Sequence, residues 1–350
     1  MTTVLRTATL SLICLVLLLV ASTVLAEDLD VATSTATSTP TSTLSIGGNN
    51  TNEDLWYKSE RISGNIDVGD FVVGPGRSEF KVKPGQTVIQ EISVTNRISD
   101  GRTFKLEVED ITGSSDGSSA VSLTGAERGP YSIRDYITFP EDTFVLALGE
   151  RAKIPVIVSV PPDAEPGGYY GSVLVSTVQV SEDTREAVPR SPISARVGSL
   201  FFLTVEGDYK VEGKTLSIDT IPKKSWYQSG PIEMGILYEN TGSIHVNPYG
   251  EISIKNMFGE EVGYIEIEPW FVLPASLRVR EITWDRGFLL GRYTVDAKIN
   301  RGYEDVIDEV SLSFWVLPWK FVGGVFVALF IILFSLRVFF RTFEFKRKGS

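Results

Sequence analysis

Between Thr103 and Glu109 the chain alternates strictly, with Phe104, Leu106 and Val108 on one side and Lys105, Glu107 and Glu109 on the other. The same period of two puts Ile154, Val156, Val158 and Val160 on one face and, further on, Ile232, Met234, Ile236 and Tyr238. From about Ile62 onward such short segments are separated by Gly, Pro, Asn and Asp, a pattern that predicts antiparallel strands with one buried face. Away from the chain ends no stretch carries a helical period. The expected fold class is all-β.

Three matches recur in the same order. Val94-Thr95-Asn96, Phe144-Val145-Leu146 with Arg151 seven positions after the Phe, and Gly168-Tyr169-Tyr170 are followed by Tyr238-Glu239-Asn240, Phe271-Val272-Leu273 with Arg278 seven after the Phe, and Gly291-Arg292-Tyr293. The order argues for tandem copies of one module. At roughly seven strands in about 100–145 residues, each suits an immunoglobulin-like β-sandwich. The first is placed over residues 61–208 and the second over 209–317. Ser194 to Glu206 is expected to close the first sandwich against Tyr169 to Val180, with a loop over 181–192. Tyr170 and Tyr293, each just after a glycine at the start of a late strand, are candidates for the tyrosine corner, whose hydroxyl bonds backbone upstream.

The apolar pattern changes at both ends. Residues 1–26 combine Arg6, an apolar run from Leu10 to Val20 and the small-residue site Val24-Leu25-Ala26, the arrangement of a secretory signal. An uncleaved signal anchor is the alternative, although the run is short of the ~20 residues that span comfortably. Residues 27–60 are Ser/Thr-rich and expected to stay a disordered tail. Residues 318–340 hold the uninterrupted apolar run Phe321 to Leu336 and read as one C-terminal transmembrane helix. Beyond it Arg337, Arg341, Lys346, Arg347 and Lys348 gather, so the 341–350 tail is expected in the cytoplasm and the sandwiches outside the plasma membrane. The second sandwich meets the helix with almost no linker and should sit against the bilayer.

Charge and cysteine content narrow the function classes. The ectodomain holds 26 Lys and Arg against 43 Asp and Glu, a formal −17, which argues against nucleic acid as a partner. The single cysteine, Cys14, lies within the signal, so stability must come from core burial rather than disulfides. One histidine, His245, sits in a turn-rich segment with no nucleophile nearby, and neither a catalytic triad nor a His-based metal site is expected. Ser78 and Lys81 form an S-x-x-K that lies in a turn and strand instead of a helix. GDYKVEGKT, from Gly207, spaces its glycines wrongly for a phosphate loop. Asp110 to Ser119 is expected to be a solvated hairpin rather than a calcium loop. No cofactor and no enzymatic activity follow from these residues.

The stretch FVVGPGRSEFKVKPGQTVIQEISVTN, with PPDAEPGGYYGSVLV in the first module and NTGSIHVNPYGEISIKNMFGEEV in the second, resembles the bacterial WxL-interacting proteins. The resemblance runs end to end in architecture and implies a signal-bearing surface protein with two immunoglobulin-like domains, a membrane helix and a basic tail. It further implies peptidoglycan as the associate of the first domain and partner surface proteins for the second. The Ser/Thr-rich tail and the strongly acidic ectodomain depart from that pattern.

Together these features predict a non-enzymatic, membrane-anchored binding or scaffold protein contacting cell-wall polymer or surface proteins, with the bilayer held by the C-terminal helix. Trp226, Tyr227 and Tyr131, aromatic residues among turn formers, are the candidate partner contacts. The alternative for these rings is a capping role at the sandwich ends. An accessory subunit of a membrane complex is the alternative function, carried by Gly323, Gly324 and Ala328 on the apolar helix.

Overall fold

The computed structural model describes residues 56–64, 66–178 and 195–342. The expected signal over 1–26, the tail up to residue 55, the 181–192 loop and the cations Lys346, Arg347 and Lys348 lie outside them.

The first sandwich opens with β1 (Lys58–Arg61), β2 (Val72–Gly74), β3 (Arg77–Val82), β4 (Thr87–Thr95) and the long β5 (Arg102–Thr112). It continues with β6 (Ser122–Leu123), β7 (Ile137–Thr138), β8 (Thr143–Leu146), β9 (Glu150–Ser159), β10 (Gly167–Val178) and β11 (Arg196–Val205). One sheet runs β1-β9-β4-β2, with β7 also on β9, and the other runs β3-β11-β10-β5-β6, with β8 on β5. Residues directly opposite across a ladder share a face. Ile92 and Val94 of β4 and Ile154, Val156 and Val158 of β9 therefore meet Leu106, Val173, Val175 and Phe201 of the other sheet in one core. On β11 both faces are covered: Phe201, Leu203 and Val205 enter that core, and Phe202 enters a smaller cluster with Tyr170 and Leu273. Two-sided burial is why Leu200 to Leu203 is a continuous apolar run instead of an alternation.

The first sandwich starts before residue 61. Tyr57 is buried and donates its hydroxyl to the Val145 carbonyl at 2.9 Å. The Trp56, Tyr57 and Phe144 rings meet edge to face at 5.3–6.2 Å. Two large aromatic residues outweigh the polar composition that extended the tail to residue 60, because their apolar area is recovered only in the core.

The second sandwich repeats the plan with β12 (Gly213–Ile221), β13 (Trp226–Tyr227), β14 (Ile232–Asn240), β15 (Tyr249–Lys255), β16 (Glu261–Ile267), β17 (Ser276–Trp284), β18 (Gly291–Asn300) and β19 (Ile307–Val316). Its sheets run β12-β14-β17 and β13-β19-β18-β15-β16. In both copies the last strand is flanked by a parallel strand, β3 beside β11 and β13 beside β19, while the late hairpin is antiparallel. The chain is all-β, two immunoglobulin-like sandwiches followed by one apolar helix.

The register of the repeat differs by one residue from the sequence matches. Gly167 pairs with Val205 and Gly291 with Val316, which makes Tyr169 the counterpart of Tyr293. Both rings face their own cores, while Tyr170 faces outward. Likewise Phe144 and Leu146 of the first core correspond to Trp270 and Val272 of the second, not to Phe271 and Leu273. Arg151 lies opposite Thr95 and Arg278 opposite the core residue Tyr238, so these arginines occupy different faces.

Helix α1 (Trp319–Thr342) follows β19 after only Leu317 and Pro318. Its 24 residues rise about 36 Å at 1.5 Å each, against a hydrocarbon layer of about 30 Å. Trp319–Arg341 is long and apolar enough to cross a membrane.

Candidate functional site

The first sandwich carries a polar groove of about 590 Å3 on the outer face of β5 and β11. In register across β10, Arg196, Ser176 and Lys105 form one row. Arg196 Nη2 donates to Glu107 Oε2 and Glu109 Oε2, both at 3.2 Å, and Lys105 Nζ donates to Glu107 Oε1 at 3.0 Å. The hydrogen bond from Lys105, with Arg196 adding, holds the Glu107 carboxyl below its ordinary range despite some burial. Arg134 closes the rim by donating to the carbonyls of Gly125 and Ala126. Its Nε, 4.0 Å from Asp110 Oδ2, and Asp110 Oδ1 behind it are buried without a hydrogen-bond partner. Alternating cations and carboxylates over little apolar surface suit a ligand rich in hydroxyl and amide groups.

A second constellation joins the sandwiches. At the start of β10, Gly168 donates its N–H to the Ser243 carbonyl at 2.9 Å. Two residues on, the Tyr170 hydroxyl accepts the His245 N–H at 2.6 Å and lies 3.1 Å from His245 Nδ1. The ring's Nε2 lies 2.7 Å from Glu79 Oε1 on β3, and the His245 side chain is only 4% exposed. One proton arrangement satisfies every atom: Tyr170 Oη–H donates to Nδ1, and Nε2–H donates to the Glu79 carboxylate. The Phe202 ring stands 5.2 Å from Tyr170, 5.1 Å from His245 and 5.0 Å from Phe271, each edge to face. Burial pushes the Tyr170 hydroxyl well above its ordinary range, so it stays protonated.

Sequence alone does not reveal this junction. His245 and Tyr170 are 75 residues apart and His245 and Glu79 166 apart, and no local pattern links such positions. Tyr170 is not a corner within its own module. The upstream backbone bond in the first sandwich belongs to Tyr169, which donates to the Glu165 carbonyl at 2.9 Å. In the second, Tyr293 donates to the Leu290 carbonyl at 3.3 Å.

The segment from Asp110 to Ser119 is also a junction element, not a free solvated hairpin. The Ser114 carbonyl accepts Leu277 N–H at 2.9 Å and that of Gly117 accepts Val279 N–H at 3.4 Å, which covers the otherwise unpaired edge of β17. Gly117, at φ +79°, sets its absent Cβ 3.0 Å from Val279 Cγ2. Beside it, the Phe271 ring lies between the guanidinium groups of Arg278, 4.2 Å from the centroid, and Arg77, 5.4 Å away. Burial, with Arg280 and Arg77 adding, pushes Arg278 down to about 10, still cationic at neutral pH.

Of the aromatic residues expected to meet a partner, Tyr131 is half-buried in the junction, its ring 6.3 Å from Tyr170 and its carbonyl accepting Tyr170 N–H at 2.8 Å. Trp226 and Tyr227 form β13 rather than a turn. Trp226 is exposed and stacks on Trp315 at 5.5 Å, and half-buried Tyr227 donates to the Pro222 carbonyl at 2.7 Å. Arg337 and Arg341 lie in the last part of α1 with exposed side chains. Among the described residues no group of three or more His, Cys, Asp and Glu is placed to hold a metal.

No protein-family model matches the chain, and no curated protein does. Among solved structures it is similar to the class 5 fimbriae chaperone CfaA, at 11% identity over 71% of this chain and 100% of that one, with a TM-score of 0.34. It is similar to the E. coli chaperone DraB at 13% identity over 71% and 98%, with a TM-score of 0.31. The Pseudomonas aeruginosa CupB2 chaperone matches at 9% identity over 70% and 100%, with a TM-score of 0.32.

Proposed function

We propose that the chain is a non-enzymatic binding protein of the plasma membrane, held by α1 with its C-terminus in the cytoplasm and presenting both sandwiches outside. The observation that carries this reading is the junction. Tyr170, His245 and Glu79 form a closed hydrogen-bonded set, Phe202 packs against Phe271, and the Ser114–Gly117 backbone covers the β17 edge. Such a set orders the two sandwiches into one arm and leaves its buried polar atoms satisfied. A two-residue connection then transmits that arm's orientation to the helix. An arm of this kind suits presentation of a binding surface. The Lys105, Glu107, Glu109, Arg134 and Arg196 groove on the first sandwich is the surface assigned to the ligand, a polar cell-wall polymer such as peptidoglycan or a hydrophilic patch of another surface protein.

The test uses the full chain in detergent micelles, incubated with purified cell wall and with purified surface proteins. Retention on one of them, lost in Arg196→Glu and kept in Lys298→Glu on the second sandwich, is the expected result. Failure of both materials to retain the chain counts against the reading.

A further inference from the structure

The turns at one end of the second sandwich lie beside the start of α1. Ile232 at the start of β14 is opposite Trp284 at the end of β17, and Gly291 at the start of β18 is opposite Val316 at the end of β19. The β13–β14, β15–β16 and β17–β18 connections therefore share the end from which the helix leaves. Contacts hold them there. Trp319 Nε1 donates to Gln228 Oε1 at 3.2 Å, the Phe288 ring lies 5.5 Å from Phe321, and Gly230 donates its N–H to the Gly287 carbonyl at 3.1 Å.

These connections leave large apolar side chains in the open. Phe258 is 80% exposed, Phe288 61% and Trp226 59%, with Met257 and Leu290 also exposed. The fold does not require the most exposed of them. In the β15–β16 turn, Asn256 Oδ1 accepts the N–H groups of Phe258 at 2.9 Å and Glu260 at 3.1 Å, so backbone bonds to Asn256 make the turn and the Phe258 ring adds nothing to it. Apolar side chains at turn tips, grouped at one end, mark a surface that meets something other than water.

We infer that this end of the second sandwich seats in the headgroup layer of the bilayer, with Phe258 and Phe288 entering its apolar side and Trp226 and Trp315 lying at its level. The inference rests on α1 as the membrane span. Geometry leaves the domain little freedom to do otherwise: Leu317 and Pro318 reach about 7 Å when extended, comparable to the roughly 5–7 Å of headgroup layer on each side of the hydrocarbon. Chemistry agrees with the geometry. Trp and other amphipathic rings favour the membrane interface, and Lys223 and Lys224 in the β12–β13 connection, which turns at the same end, Arg286 in the β17–β18 connection and Lys320 at the helix start lie, within an ectodomain of net −17, where lipid phosphates would meet them. Trp226 then contacts lipid, not a protein partner.

The test places single cysteines in the full chain carrying Cys14→Ser, at Phe258, Phe288, Glu304 and Leu329. Each is labelled with an environment-sensitive fluorophore and reconstituted in vesicles of equal parts phosphatidylcholine and phosphatidylglycerol. Shallow spin-labelled lipid is expected to quench the Phe258 and Phe288 positions several-fold more than Glu304, which sits at the opposite end of the same sandwich and should respond to aqueous iodide. Leu329, within α1, should respond to the deep quencher. Deep quenching at Leu329 with iodide quenching at Phe258 and Phe288 equal to that at Glu304 overturns the seat and leaves the span intact. Shielding of both positions from lipid and iodide alike means a protein covers them and also overturns it. Loss of the Leu329 signal to iodide overturns span and seat together.

Discussion

Asn96 and Asn240 make the same three hydrogen bonds in the two sandwiches. Each Nδ2 donates to the carbonyl four residues on, Asp100 at 3.0 Å and Ile244 at 2.9 Å, and to a carbonyl of the opposing segment, Leu146 at 2.9 Å and Val272 at 2.8 Å. Each Oδ1 accepts the N–H two residues on, Ile98 and Gly242, both at 2.9 Å. Both side chains are essentially fully buried, so this amide stitches the end of one strand to its turn and to the segment crossing it in either copy.

Asn96→Ala and Asn240→Ala should accordingly cost about the same. Each removes three bonds and leaves buried backbone groups without partners, a loss of about 3 kcal/mol from the sandwich concerned. Denaturant unfolding followed by tryptophan fluorescence measures it, and Asp at either position should fail to rescue because it cannot donate to two carbonyls.

The asparagine is also where the repeat was legible. Val94-Thr95-Asn96 and Tyr238-Glu239-Asn240 align because the amide's bonding is local and repeated, and the strands around them show because alternation writes their buried face directly into the chain. What letter matching misplaced was parity. Phe144 matches Phe271 by name and Trp270 by position, and Tyr170 matches Tyr293 by name while Tyr169 holds the position. A slip of one residue exchanges core for surface in a strand, and the outward-facing Tyr170 and Phe271 are the residues that build the junction. Their partners, Glu79, Phe202 and His245, come from distant strands and turns, so only the tertiary fold assembles them.

Tyr170→Phe tests that assembly. The variant keeps the ring against Phe202 and removes only the oxygen that accepts the His245 N–H at 2.6 Å and lies 3.1 Å from Nδ1. A buried donor and a buried acceptor lose their partner, at a cost of about 1–3 kcal/mol. The cost should fall on the coupling between sandwiches. Differential scanning calorimetry is expected to resolve two transitions in the variant where the parent chain melts in one.

The junction should loosen in acid. The Glu79 carboxyl lies below its ordinary value of 4.5, held there first by its hydrogen bond with His245, which outweighs burial, with the charges of Arg77 and Lys81 adding. A carboxyl whose folded pKa is depressed contributes stability above its unfolded value and loses it as pH falls through the folded one. Hydrogen-exchange protection at the Gly168 and His245 amides, whose bonds cross the junction, taken against the intrinsic rate at each pH, should therefore stay high at neutral pH and fall below pH 4.5. In Glu79→Gln the part of that fall that follows the carboxyl should be missing, because the amide keeps an acceptor for Nε2–H and has no proton to take up.

Asp308 offers a test confined to the second sandwich. Its Oδ1 accepts Arg301 Nε at 2.9 Å and Nη2 at 2.6 Å, and its Oδ2 accepts the Thr215 N–H at 2.7 Å, tying β12 to β19 at the bulge between Thr215 and Ser217. The carboxylate is 13% exposed and the guanidinium 28%. Asp308→Ala takes two charge-assisted bonds from a guanidinium that solvent still reaches and strands a backbone donor, a loss of about 2 kcal/mol. Asp308→Asn keeps an acceptor for Thr215 but gives up the ionic pair, so it should lose roughly half as much. A second tie limits the damage. The Tyr303 hydroxyl donates to the Gly213 carbonyl and accepts the Gly213 N–H, both at 2.8 Å, and holds the start of β12 by bonds in which Asp308 takes no part. Urea unfolding of the full chain in detergent gives the stability loss, and exchange at the Thr215 amide against that at Gly213 gives its location: Thr215 should open first, with Gly213 protected until global unfolding.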